Sequence, residues 1–275
     1  MRHLFSPLVF FLGIFNSFGA TLPDTLTGIW QVKEVHLNTQ LGRTTEYTWN
    51  DPRLTGRIFN FTRNDVTHDA YDSPDHCVNP EVRYIETSLN DLMLRSVGGY
   101  GYPPVASLDP ARDYKLETSG TTQVRALSLT CAKSVWQGDL GVSYGELGKA
   151  TVPGAWAVPI SREEMYLRWR DETILVLRKV PHNASIEASF RCDRTSNATE
   201  HAICNSYQLA AFDQSIAQAY GRAMMQAKTS ETQTVTLSRS QRQWIKHRDA
   251  CGPDAACILK SMQARLEALS TTGSN

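Results

Sequence analysis

No stretch beyond residue 20 is long and apolar enough to cross a bilayer, which takes roughly 20 apolar residues in succession. Net charge is missing too: 28 Lys and Arg balance 28 Asp and Glu, so no global field draws the chain to nucleic acid or to an anionic membrane. Neither C-x2-C nor H-x3-5-H spacing occurs, which removes the usual zinc sites. Nor is any cysteine left over, the count being an even six. What remains is ordinary globular material, with 41% apolar, 20% charged and 9% aromatic residues among 275. Those values exclude disorder, collagen and coiled coil, and the length provides for one or two domains of about 100 to 200 residues each.

Residues 1–20 have the pattern of a secretory signal: Arg2 and His3 form a short basic start, Leu4 to Phe15 is mostly apolar, and Ser17 to Ala20 offer small residues for cleavage near Gly19 or Ala20. No cysteine follows to accept a lipid, so the expected mature protein has no stable membrane anchor and lies outside the cytoplasm. Cys77, Cys131, Cys192, Cys204, Cys251 and Cys257 suit an oxidising compartment. Six cysteines allow 15 connectivities. The spacing suggests Cys77 with Cys131, Cys192 with Cys204, and Cys251 with Cys257.

The chain then divides by periodicity. From Thr27 to Val180, segments rich in β-branched and aromatic residues alternate with Gly, Pro, Asn and Asp: Gly28–Leu37, Arg57–Thr62, Val82–Ser88, Val124–Val135, Met165–Trp169 and Thr173–Val180. The last two read as a hairpin turning at Asp171 and Glu172. About eight short strands over this length predict an antiparallel barrel or sandwich. In the first of them, Ile29, Gln31, Lys33 and Val35 face Trp30, Val32, Glu34 and His36, and both sets mix polar with apolar residues. Residues 181–187 read as a linker. Beyond it, apolar residues recur at helical spacing in three runs: Leu209, Phe212, Ile216, Ala219, Tyr220 and Ala223; then Leu237, Gln241, Trp244, Ile245 and Arg248; then, after Pro253 in a first turn and Asp254 as a cap, Ile258, Met262, Arg265 and Leu269. The expected organisation is therefore a signal at 1–20, a β-barrel at 21–180, a linker at 181–187, a helical domain at 188–270 and a short tail at 271–275. Charge divides as well. Residues 21–187 carry 17 basic against 21 acidic side chains, net −4, and residues 188–275 carry 10 against 7, net +3.

The helical half resembles a known family. Cys192 and Cys204, Leu209, Asp213 and Tyr220, the run Gln241-Arg242-Gln243-Trp244, Arg248-Asp249-Ala250-Cys251, Cys257 and Arg265 together resemble the LprI-like lysozyme inhibitor domain of bacterial envelope proteins, over residues 188–269. Phe212 and Met262 depart from that pattern, where Leu and an aromatic are common. The resemblance implies a disulfide-stapled module in the periplasm or envelope, with lysozyme inhibition as the activity attached to the family. The motif residues Asp213, Tyr220, Gln241, Trp244, Arg248 and Arg265 read as structural: Trp244 as a core anchor whose indole N–H needs a partner, and Asp213, Arg248 and Arg265 as an ion-pair network bracing three helices. More weakly, Gly28-Ile29-Trp30 is similar to the Gly-x-Trp start of lipocalin-like barrels. There the Trp closes one barrel end under a basic residue of the last strand, here Arg178 or Lys179, through a cation–π contact.

Chemistry-bearing motifs are sparse. Gly141-Val142-Ser143-Tyr144-Gly145 matches a nucleophile elbow but lacks the strand-to-helix context that exposes such a serine, and reads as a glycine-rich loop. His68, Asp69, Asp72, Asp75 and His76 crowd the approach to Cys77 and read as a solvated acidic turn rather than a metal site. Glu163 and Glu164 are adjacent, so on a strand they point to opposite faces and cannot cooperate as acid and base. The loop Gly98-Gly99-Tyr100-Gly101-Tyr102 pairs glycine with tyrosine, the combination of adaptable binding surfaces, which marks Tyr100 and Tyr102 as candidate partner contacts. The sequence thus predicts an α+β protein in two domains, an N-terminal lipocalin-like antiparallel β-barrel and a C-terminal disulfide-stapled three-helix module. It predicts a non-enzymatic binding protein without cofactor or metal, whose partner is a lysozyme or another cell-wall hydrolase. The alternatives are a small-molecule carrier and an immunity protein against a secreted toxin.

Overall fold

The computed structural model describes residues 22–38, 40, 45–70, 76–98, 100, 105, 107–131 and 156–271. The signal-like segment, Asp72, Asp75, Tyr102 and Ser143 lie outside them. Nine antiparallel strands form one sheet in the order β4-β3-β2-β1-β9-β8-β7-β6-β5: β1 (Gly28–His36), β2 (Ile58–Phe61), β3 (Asp65–His68), β4 (His76–Val78), β5 (Glu81–Ser88), β6 (Gln123–Thr130), β7 (Ala157–Pro159), β8 (Glu164–Trp169) and β9 (Thr173–Lys179). The outermost strands β4 and β5 are consecutive in the chain but are not ladder neighbours. The sheet is therefore a curled half-barrel, and the Cys77–Cys131 disulfide ties β4 to the end of β6.

The mixed faces of β1 have a physical cause. A register shift between Val32 and Glu34 changes the phase of the pleat, as a β-bulge does, so Trp30, Val32 and Val35 all enter the core. With them Phe59, Phe61, Met165, Leu167, Trp169, Leu175 and Leu177 fill the concave side. The convex side of β6 to β9 is covered as well. Ile174, Val176, Tyr166 and Val158 pack there against two short helices that periodicity did not reveal, α1 (Leu89–Leu94) and α2 (Pro110–Asp113). That double coverage buries nearly all of β8 and β9. Their hairpin turns through Asp171 and Glu172, both in the left-handed region at φ 51° and 57°. Such values suit Asn-Gly, and here the side chains help hold the turn: Glu172 accepts from the Gly98 N–H at 2.8 Å and pairs with Arg168.

After the linker, a 3-10 turn (Cys192–Arg194) leads into α3 (Ala198–Cys204), α4 (Tyr207–Ala227), α5 (Glu231–Asp249) and α6 (Ala255–Thr271). Four helices stand where three were expected, because the short α3 fits between the cysteines of the Cys192–Cys204 disulfide. Asn197, Ser206 and Ser230 cap α3, α4 and α5. Asp254 accepts from the Ala256 and Cys257 N–H groups at the start of α6, with Pro253 before the cap rather than inside the first turn. Cys251–Cys257 closes the α5–α6 connection. The core is built from Ile203, Leu209, Phe212, Ile216, Ile258, Met262, Leu266 and Leu269. Ile245, expected on the packed face of α5, is instead 36% exposed.

Candidate functional site

Within the helices, Trp244 is the centre of a polar brace. Its indole N–H donates to Ser261, at 3.2 Å to the carbonyl and 3.1 Å to Oγ. The guanidinium groups of Arg248 and Arg265 lie 5.4 and 5.9 Å from its ring. Arg248 is buried, 2.7 Å from Asp249 and 3.5 Å from Asp213, and Asp213 also accepts from the Ser189 N–H at 2.7 Å. Arg265 is not part of that ion pair. It donates to Gln241 Oε1 and Ser240 Oγ, each at 2.9 Å, because α5 presents those neutral acceptors to α6. Desolvation lowers its pKa. Tyr220 shares a 3.4 Å hydroxyl contact with Ser238. The brace joins α4, α5 and α6 and leaves Arg265 Nη2 buried without a hydrogen-bond partner among the described residues.

A second constellation spans the seam where α4 docks on the loop between β1 and β2. Gly56 has φ +84°, and a Cβ there would sit 3.1 Å from Ser215 Oγ and 3.3 Å from the Ala211 carbonyl, so glycine serves both the turn and the close approach. Next to it Arg57 is completely buried, stacked 3.2 Å from the Phe212 ring centroid and donating to Ser215 Oγ at 3.0 Å. Ser215 in turn donates to the Thr55 carbonyl at 2.8 Å. Burial pushes the Arg57 pKa down to about 10, against the opposing pull of Asp69. Asp69 is held by the Ile58 N–H at 2.6 Å and Gln208 Nε2 at 3.2 Å, and desolvation raises its pKa despite Arg57. Arg222 of α4 reaches the Asn50 carbonyl at 2.9 Å, and Tyr207 reaches Gln31 at 3.2 Å.

This seam leaves a pocket of about 160 Å³ lined by Glu46, Tyr47 and Arg53 from the sheet body and by Phe212, Gln263, Leu266 and Glu267 from α4 and α6. Tyr47, Phe212 and Leu266 form apolar walls. Arg53 lies over the Tyr47 ring at 4.9 Å and bonds Asp51 at 3.0 Å. Burial alone would lower the Arg53 pKa, but the hydrogen bond and charge of Asp51, with Glu267 and Glu46, raise it.

Residues 192–270 match the family model of the lysozyme inhibitor LprI. Comparison with curated proteins and with solved structures finds no match for the chain. The LprI segment is less than a third of the length. It contains the whole brace except Ser189, and it supplies four of the seven residues around the seam pocket.

The other sequence-marked residues are placed as follows. Tyr100 is no surface contact: it is 5% exposed, its hydroxyl accepts from Asn38 at 2.8 Å and donates to Asp113 at 3.3 Å, and burial beside Asp113 pushes its pKa up. The apolar body of a tyrosine fits a core as readily as an interface once its hydroxyl is paired. The turn around His68 is not simply solvated. His68 is half-buried against Phe59 and Trp169, with ring centroids at 5.1 and 5.2 Å, and Asp69 belongs to the seam, while exposed His76 pairs with Asp65 at 2.8 Å. No group of three or more His, Cys, Asp or Glu suited to a metal occurs among the described residues. On β1, Trp30 donates to the Leu26 carbonyl at 2.7 Å and carries Lys179, 5.5 Å above its ring, whereas Arg178 pairs with Glu164. Sequence reasoning missed the seam entirely. Arg57 and Ser215 lie 158 positions apart, and only a fold can bring them together.

Proposed function

We propose that this chain is an exported, non-enzymatic binding protein of the bacterial envelope, which blocks a lysozyme or a related cell-wall hydrolase by occluding it. The observation that carries the reading is the match of residues 192–270 to the lysozyme inhibitor LprI over helices whose ends are fastened by Cys192–Cys204 and Cys251–Cys257. A surface fastened in this way loses little conformational freedom on docking, which is what an occluding inhibitor requires. Three disulfides and the signal-like start support export to an oxidising compartment. No helix among the described residues is long and apolar enough to cross a membrane. Lysozymes are generally basic, so the net −4 of residues 21–187 favours first contact through the sheet body over the +3 helical half.

The carrier alternative loses support from the concave side of the sheet. Trp30, Phe59, Phe61, Trp169 and their neighbours are essentially unexposed and fill the space that a ligand of about 300 Å³ or more would need. The decisive experiment is a turbidity assay of cell-wall lysis by several lysozymes with rising amounts of the mature protein. Dose-dependent slowing of clearance is expected. An unchanged rate at high micromolar inhibitor removes the activity.

A further inference from the structure

We infer that the exposed face of α5 carrying Arg239, Arg242 and Lys246 docks on the phosphate headgroups of an anionic phospholipid bilayer. The inference takes the envelope setting from the binding-protein reading and nothing from lysozyme inhibition. α5 packs on α3, α4 and α6 through one side, where Leu237 and Trp244 meet the core and Arg248 is the one buried residue of the helix. At about 100° per residue, Val235, Arg239, Arg242 and Lys246 lie on the opposite side, and all four are exposed, Val235 at 47%. The three cations follow one another over about 10 Å of helix axis. No ion pair engages them among the described residues, because the acidic groups of the helical half are used elsewhere. Asp193 pairs with Arg191, and Asp213 and Asp249 pair with Arg248. Glu200 accepts from Ser196, Asp254 caps α6, and Glu267 acts on Arg53. Glu231 remains, about two helical turns before Arg239. The acidic residues outside the described ones, Asp72, Asp75, Asp139 and Glu146, belong by sequence to the β3–β4 and β6–β7 connections of the sheet body.

A row of this kind suits a plane of phosphates. A protein groove that receives a helix reads apolar anchors at i, i+4 and i+7; here those places hold Val235, Arg239 and Arg242, so one anchor is apolar and the rest are cations. Guanidinium groups bond phosphate oxygens in pairs. Val235 beside them enters the apolar boundary below the headgroups, as the apolar residues of surface-lying helices do. Each Lys or Arg held at an anionic surface raises partitioning about fivefold, so three together give about a hundredfold. That is reversible attachment and not an anchor. It also leaves the sheet body, on which α4 rather than α5 docks, free to meet a partner while the helical half rests on the membrane.

The test uses the full mature chain with its disulfides. In vesicle sedimentation at low salt it should bind phosphatidylcholine vesicles containing about one-third phosphatidylglycerol at least tenfold more tightly than pure phosphatidylcholine, and release them near 1 M salt, where the screening length is about 3 Å. R239Q/R242Q/K246Q, whose positions lie outside the brace, should keep the wild-type melting temperature and lose at least tenfold in affinity. R63Q/R83Q/R125Q removes equal charge from exposed positions of the sheet body and should stay within twofold of the wild type. V235S should bind the vesicles at least threefold more weakly, since a bilayer has an apolar boundary to receive Val235 and a soluble polyanion has none. Wild-type affinity in the α5 triple variant or in V235S, or equal losses from the two triple variants, overturns the inference. So does tighter binding to inorganic polyphosphate than to the vesicles at matched phosphate. None of these readouts involves a lysozyme: failure of the lysis assay leaves the bilayer assignment standing, and failure of vesicle binding leaves the inhibitor reading standing.

Discussion

Arg57 is fully buried, and its guanidinium has one hydroxyl, one aromatic face and the charge of Asp69 to offset removal from water. Its Nε and Nη1 have no hydrogen-bond partner among the described residues. The lowered pKa of Arg57 and the raised pKa of Asp69 both say that burial outweighs their mutual attraction. Yet the attraction is real, and a mutant cycle isolates it. R57M and D69N each forfeit it, and the double variant forfeits it only once, so the double should cost about 1 kcal/mol less than the sum of the singles in urea unfolding; strict additivity would show that the two charges do not communicate. The sign of the Asp69 shift gives a second prediction. A carboxyl whose folded pKa lies above its unfolded value stabilises in acid, and that stability is lost as pH rises through the interval between the two. Asn cannot titrate, so the melting temperature of D69N should gain on the wild type as pH rises above the ordinary carboxyl value of about 4. A constant difference above that value would contradict the assignment.

Among the elements, the three disulfides differ chiefly in what they enclose. Cys77–Cys131 spans 54 positions, Cys192–Cys204 spans 12 and Cys251–Cys257 spans 6. The chain-entropy argument then ranks paired Cys→Ala replacements at about 4, 3 and 2 kcal/mol, and denaturant unfolding of the three double variants checks the order. The longest should also loosen the sheet edge, since it anchors β4, a strand of only three residues. What the sequence shows of these elements follows their length. β1, β5, β6, β8 and β9 hold six to nine residues each, enough for β-branched alternation to register, as are the 17 to 21 residues of α4, α5 and α6 for a helical period. β3, β4 and β7 have three or four, at most two periods of a pleat. α1 and α2 have six and four residues, less than two turns of a helix, and their partners lie across the sheet. The loop at Tyr100 misleads for another reason: glycine with tyrosine describes an adaptable surface and a buried hydroxyl equally well. The seam depends on Gly56, whose positive φ cannot be told from the sequence, and on side chains far apart in the chain.

For the whole molecule, the docking of α4 on the sheet body joins an acidic part and a basic part into one dipolar particle. On α5, Val235, Arg239, Arg242 and Lys246 follow at helical spacing on one exposed face, and no ion pair engages the three cations among the described residues. Turned towards a basic hydrolase, that stripe repels, whereas the net −4 of residues 21–187 attracts. Against such a partner the stripe would act as an orienting charge, steering it away from α5. Reversing it with R239E/R242E/K246E should remove the repulsion, raising the association rate with a basic lysozyme severalfold in low salt with little change in dissociation. The gain should vanish near 1 M salt, where the screening length falls to about 3 Å. Stopped-flow or surface-plasmon measurements at two ionic strengths separate the outcomes. A slower association for the reversed variant would place the binding face on α5 itself.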